Sequence, residues 1–164
     1  MTLMMLHLKN HHGFTFIELI MVLMIVSIIA AISSVLLLQG TEAYYNGQNV
    51  LASYWQGEIA MQLFARDVTK IRSNNDITTA TPTNLVFTDM HGNTDNYLLS
   101  SNSLTLNGYT LANRINLSNS FFTYYDNTLT ATNILTDIYY IQIQISLTNS
   151  NYILINTLYL RNVQ

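Results

Sequence analysis

Between Leu19 and Leu38 the chain runs for twenty residues, LIMVLMIVSIIAAISSVLLL, without a charge, a Gly or a Pro. As an α-helix such a run rises about 30 Å, the thickness of a bilayer's hydrocarbon core. Its polar members are Ser27, Ser33 and Ser34, too few to make the polar stripe of a soluble core helix. The run is therefore expected to be a membrane-inserted helix. Lys9 and the terminal amine are the firm positive charges ahead of it, joined by His7, His11 and His12 when protonated. Positive charge on that side puts the N-terminus in the cytoplasm and the bulk of the chain across the membrane. A secretory signal is the competing reading, with Ala31-Ile32-Ser33 as its cleavage site. Against it, the apolar run continues past that site to Leu38, and a carboxylate, Glu18, stands at its start.

A charge within the hydrocarbon costs about 2.5 to 3.5 kcal/mol, and less near the interface. Glu18 either lies at headgroup depth as a favourable anion in a helix's first turn, or awaits a positive partner inside an apolar assembly. Its surroundings favour the second. The stretch Gly13-Phe14-Thr15-Phe16-Ile17-Glu18-Leu19, followed by the apolar run, resembles the prepilin signal of type IV pilins and type II secretion pseudopilins. The resemblance implies cleavage between Gly13 and Phe14 by a membrane-embedded peptidase, which then N-methylates the new amine of Phe14. It makes Glu18 the assembly residue, which neutralises the N-terminal amine of a neighbouring subunit as subunits stack. Stranding one charge of such a buried pair costs about 3 to 5 kcal/mol, so it would set register between subunits. Many major pilins carry a Pro within the apolar helix; this chain has none between Leu19 and Leu38.

Gly40 and Gly47 follow the anchor and each costs about 1 kcal/mol inside a helix, so a continuous helix with a loosened middle is expected. Ala52, Trp55, Ile59 and Leu63 recur at helical steps, with Ala60, Phe64, Val68 and Ile71 in an adjoining row. Glu58, Gln62, Arg66, Asp67, Lys70 and Arg72 interrupt them. This is an amphipathic helix over 41–75 that packs one side on a core, Trp55 and Phe64 included, and closes at Asn74-Asn75-Asp76 and Pro82. Beyond it the period becomes two. Strands are expected at Asn84 to Thr88, Tyr97 to Leu99, Leu104 to Leu106, Tyr109 to Leu111, Phe121 to Tyr125, Ile141 to Leu147 and Tyr152 to Leu160. Asn107-Gly108 suits a two-residue type I′ turn, and Thr148-Asn149-Ser150-Asn151 a turn before the last strand. The fold class is α+β: a long N-terminal helix packed on an antiparallel head of six or seven strands over 76–164, behind a leader at 1–13 and an anchor at 14–40. Leu63 to Arg72, Phe122-Thr123-Tyr124-Tyr125 and Leu160-Arg161-Asn162 resemble the larger minor pilins and J-type pseudopilins.

Composition excludes several functions. Charged residues are 9% of the chain, against about 25% in an average soluble domain, while hydrophobic residues are 49%. Asn and Thr, 19 of each, supply the polar surface instead. A formal charge of −3 leaves no basic footprint for nucleic acid. Zero cysteines remove disulfides, thiolate metal sites and Cys nucleophiles. No phosphate loop or HExxH motif occurs, and nothing organises a triad around His91, so no catalytic residue and no cofactor are expected. Asp89, His91, Asn93 and Asp95 alternate in a way that could offer oxygens to Ca²⁺, but a plain turn, which Gly92 suits, needs no metal and is the preferred reading. The expected protein is a structural subunit, not an enzyme. Its expected partners are other pilins or pseudopilins, prepilin peptidase/methylase, an inner-membrane assembly platform and membrane lipid. The alternative is a membrane-tethered or Sec-processed periplasmic β-rich domain that binds glycan or calcium.

Overall fold

A computed structural model describes residues 13, 15–148 and 150–160. Lys9, the leader histidines, Phe14, Asn149, Arg161 and Asn162 lie outside the described residues. The chain forms two compact units, divided between Tyr45 and Asn46. A single α-helix, α1 (Phe16–Val68), contributes to both and runs unbroken through Gly40 and Gly47. In the first unit its most apolar window, of mean hydropathy 2.9, buries nothing against the rest of the chain. Two of the three serines of that stretch turn back on the helix. Ser27 Oγ donates to the Leu23 carbonyl at 2.6 Å and Ser34 Oγ to the Ala31 carbonyl at 2.8 Å. Both hydroxyls are thus satisfied without water, as a hydrocarbon surrounding demands.

The second unit is the head. Five strands, β1 (Ile77–Ala80), β2 (Asn84–Thr88), β3 (Thr94–Ser100), β4 (Ser103–Leu106) and β5 (Tyr109–Asn113), form an antiparallel meander in sequence order. Three more, β6 (Phe121–Tyr125), β7 (Tyr140–Ser146) and β8 (Ile153–Tyr159), form a second antiparallel sheet in the order β6-β7-β8. The architecture is α+β, a long helix against antiparallel sheets, as expected from the period change near residue 83. Backbone bonds tie the sheets together. Phe122 N–H donates to the Pro82 carbonyl at 2.8 Å, and Asn116 N–H to the Ser146 carbonyl at 2.8 Å. Asn107 and Gly108 take φ of +52° and +85°, and Leu106 pairs with Tyr109, giving the expected two-residue hairpin. The β3–β4 hairpin has the same form with Ser101 and Asn102 at φ +49° and +58°, which no Asn-Gly or Asp-Gly signal announces.

Among the described residues the strands number eight rather than six or seven, the added one being β1, which precedes the first expected strand; α1 ends at Val68 instead of 75. Its last turn tightens, with Lys70 N–H on the Asp67 carbonyl and Ile71 N–H on that of Val68. Ile71 is thereby delivered to the core. Asn74–Asp76 is a 3-10 turn capped by Ser73, and Ile77 opens β1 opposite Phe87.

The buried face of α1 is Ser53, Gly57, Ala60, Met61, Phe64, Asp67 and Val68. The row containing Ala52, Trp55 and Ile59 is turned outward, with Trp55 57% and Ile59 63% exposed, so Trp55 is not a core residue. The helix is oriented by closeness of approach more than by apolar content. An added Cβ at Gly57 would stand 2.7 Å from Leu154 Cδ1, so glycine lets α1 sit close against β8. Phe64 then reaches both sheets: its ring meets Tyr97 of β3 edge-on at 5.1 Å and Phe122 of β6 at 5.8 Å. Asp67 is buried on the same face. It accepts from Tyr97 Oη at 2.8 Å, Lys70 Nζ at 2.7 Å and Arg66 Nε at 3.0 Å. Burial raises its pKa, but the hydrogen bonds from Lys70, Tyr97 and Arg66 outweigh that and hold it below the ordinary value.

Gly57→Val should overpack the contact with Leu154 and destabilise the head by about 1 to 3 kcal/mol in thermal unfolding, with the helical signal retained. A carboxyl whose pKa is lower folded than unfolded adds stability above its unfolded pKa and loses it as pH falls through the folded one. Stability of the native chain should therefore drop as pH falls below the usual aspartate range. Asp67→Asn should unfold more easily at neutral pH and show a flatter dependence over that window.

Candidate assembly and processing site

The first described helical turn is built around two side chains. Leu19 N–H bonds to the Thr15 carbonyl at 3.2 Å, which makes Thr15 the N-cap of α1, with Phe16 as its first helical residue. Thr15 Oγ1 accepts Glu18 N–H at 3.3 Å, while Glu18 Oε2 accepts both the N–H and the hydroxyl of Thr15 at 3.3 Å each. These reciprocal bonds are a capping box, the Ser/Thr-x-x-Glu arrangement that satisfies donors left orphaned where a helix begins. Thr15-Phe16-Ile17-Glu18 carries that signature in plain sequence, and Thr15 is the site residue that the reading of Gly13, Phe14 and Glu18 leaves out. The negative charge also faces the helix's positive end. Only one carboxylate oxygen is engaged; Oε1 of Glu18 has no hydrogen bond among the described residues. The side chain is exposed.

Gly13 lies two residues ahead of the cap, exposed and outside the helix. An added Cβ would meet nothing within 4 Å, and its φ is not left-handed. Nothing in the chain's own described structure requires glycine there.

The loop between β2 and β3 holds the remaining candidates. Asp89 is buried, and its carboxylate accepts the N–H groups of His91 and Asn93 at 2.8 Å each and Asn93 Nδ2 at 3.2 Å. Burial raises its pKa, but bonds from the Asn93 backbone and side chain and from the His91 backbone bring it below the ordinary value. Asp95 accepts Asn107 Nδ2 at 3.1 Å. Asp89 thus pins a turn, Gly92 takes φ +85° within it, and no group of three His, Asp or Glu gathers among the described residues.

Residues 8–34 match the family model of the prokaryotic N-terminal methylation motif. They carry a pilin-type signal. The match spans Gly13, Phe14, the capping box and most of the apolar run, and it supports a type IV pilin-like or pseudopilin protein that is processed by prepilin peptidase and anchored in a membrane. Proteins with such a signal assemble with other pilins. No curated protein and no solved structure matches the chain.

Thr15→Val should release the Glu18 amide and speed its hydrogen exchange in detergent micelles, at a cost of about 1 kcal/mol to the first turn. Glu18→Gln should preserve that protection, because a Gln side chain fills the same place in the box.

Proposed function

We propose that the protein is a minor pilin or pseudopilin, cut between Gly13 and Phe14, N-methylated on Phe14 and built into a thin filament through its N-terminal helix. One observation carries the reading: the methylation motif at 8–34 coincides with a helix start whose cap survives this cut. Cleavage after Gly13 leaves Phe14 as the terminal residue and Thr15 as the intact N-cap. A cut one residue beyond Thr15 would destroy the cap, and a cut after the apolar run would discard the anchor.

The expected step at the peptidase needs an extended, unhindered backbone, which Gly13 provides. The new α-amine then needs an anion in an apolar surrounding. Glu18 can serve both ends of that requirement. Oε2 holds its own helix start, and Oε1 is left to accept the amine of a neighbouring Phe14. In this reading the N-terminus is cytoplasmic, the head is periplasmic, and an inner-membrane assembly platform extracts the subunit from lipid. The Asn- and Thr-rich, weakly charged head suits lateral packing against other heads. The absence of Cys and the resemblance to the larger minor pilins and J-type pseudopilins favour a minor component over the bulk subunit.

Glu18→Gln separates charge from capping. The variant should be inserted and cleaved as the native chain is, yet recovered in sheared filaments at a small fraction of the native level. Native-level recovery would remove the amine-pairing role and leave Glu18 as a helix cap alone.

A further inference from the structure

Two hollows meet where the helix runs along the head. One, of about 730 Å³, is apolar and lies between α1 and the start of β8, lined by Leu51, Tyr54, Tyr152 and Ile153 among others. Its size is that of a ligand pocket, about 300 to 1,000 Å³. The Tyr54 and Tyr152 rings meet edge-on across it at 5.7 Å. Leu51, Tyr152 and Ile153 are each more than half exposed, although apolar or aromatic. The other hollow, of about 400 Å³, is polar and is lined by Asn46, Asn49, Ser53, Arg114 and Thr148. Asn46 and Val50 line both, so the two are continuous. No carboxylate lines either. Arg66 and Lys70 pair with Asp67, and Arg72 with Asp76, whereas Arg114 makes no ion pair among the described residues. Its backbone is held at φ +57°, uncommon outside Gly and Asn, and its carbonyl accepts Thr148 N–H at 2.7 Å. The root of this free cation is thus fixed beside the β7–β8 turn.

We infer that the joined hollows bind an anionic phospholipid, its phosphate against Arg114 and the Asn46 and Asn49 amides, and one acyl chain along the apolar side. A guanidinium presents two parallel N–H donors that match a phosphate. The apolar hollow next to it gives a hydrocarbon chain a place that a free phosphate would leave empty. The chain carries a formal charge of −3, so its net charge repels anionic lipid and any preference for it has to be local. The membrane supplies this ligand. Eight residues lead from Leu38, the end of the apolar run, to Asn46. That length spans at most about 29 Å, so the anchor keeps the site close to a lipid surface. Tyrosines beside apolar and cationic side chains are the groups that settle at membrane–water interfaces. The inference needs the membrane anchor alone and does not depend on the filament reading.

The chain has a single tryptophan, and it stands at this site. Trp55 follows Leu51 by one helical turn, and its ring lies 5.9 Å from that of Tyr54. Bromine on an acyl chain quenches indole fluorescence at contact range. The full chain in phosphatidylcholine nanodiscs is therefore given a minority of acyl-brominated lipid, either phosphatidylglycerol or phosphatidylcholine. Brominated phosphatidylglycerol should quench Trp55 more strongly than brominated phosphatidylcholine does. Arg114→Asn, which suits the left-handed backbone, should lose that excess and leave the phosphatidylcholine level unchanged. Gly47→Leu, at a position where an added Cβ meets nothing within 4 Å, should fill the apolar hollow and lose the excess as well. Arg72→Gln, on an exposed cation that lines neither hollow, should retain it. Inorganic phosphate in large excess over lipid should also leave it in place. Equal quenching by the two lipids, an excess that survives Arg114→Asn or Gly47→Leu, or its loss in Arg72→Gln would overturn the inference. Displacement by inorganic phosphate would assign the polar hollow to a free anion and overturn it too.

Discussion

A carboxylate at the head of a twenty-residue apolar run caps the helix that carries it, and the proposed function gives it a second demand to meet. The first turn of any helix leaves N–H groups without acceptors, and in or near lipid no water stands ready to help. Glu18 answers that with Thr15, which pairs with it in both directions. The second demand belongs to the proposed processing: a cut after Gly13 would create an α-amine one residue ahead of the cap. In the proposed reading the same group meets both, because the box uses one of the two oxygens of the carboxylate. A purely apolar seam between helices could slide by a turn; a charge pair at a fixed depth cannot do so without stranding both ions.

The head is organised by a different constraint. Its helix must approach two sheets that converge on Phe64, and the face turned inward is the one that permits the closest approach. That face contains a serine, a glycine and an aspartate, while Trp55 and Ile59 are left outside. Gly57 makes room for Leu154, and Asp67 is tolerated because three donors, one of them the buried Tyr97, converge on it. Removing the acceptor would leave that phenol unsatisfied at about 1 to 3 kcal/mol. Polar residues thus mark the inner face of this helix as firmly as apolar ones do.

These facts explain which features the sequence displayed. The apolar run, the motif around Glu18, the Asn107-Gly108 hairpin and the alternation over Ile141 to Leu147 depend on local chemistry, and each is found where that chemistry places it. The row Ala60, Phe64, Val68 and Ile71 is buried as its helical steps place it, whereas the outward turn of the row through Trp55 and Ile59 depends on where two distant sheets lie. The early end of α1 was hidden for a related reason. Ile71 continues the helical row on paper but is needed beyond the helix end, where a tightened turn delivers it to the core. Asp89 and Asn93 had the spacing of oxygen donors, and the structure directs them to each other across a turn.

The central claim concerns where the mature chain starts and which helix it keeps. Intact-mass and peptide mass spectrometry of the protein recovered from envelopes tests it most directly. The account requires an N-terminal peptide that begins at Phe14, one methyl group heavier than the unmodified sequence, with the apolar run retained. A mature chain that begins downstream of Ser33, without that run, would contradict it.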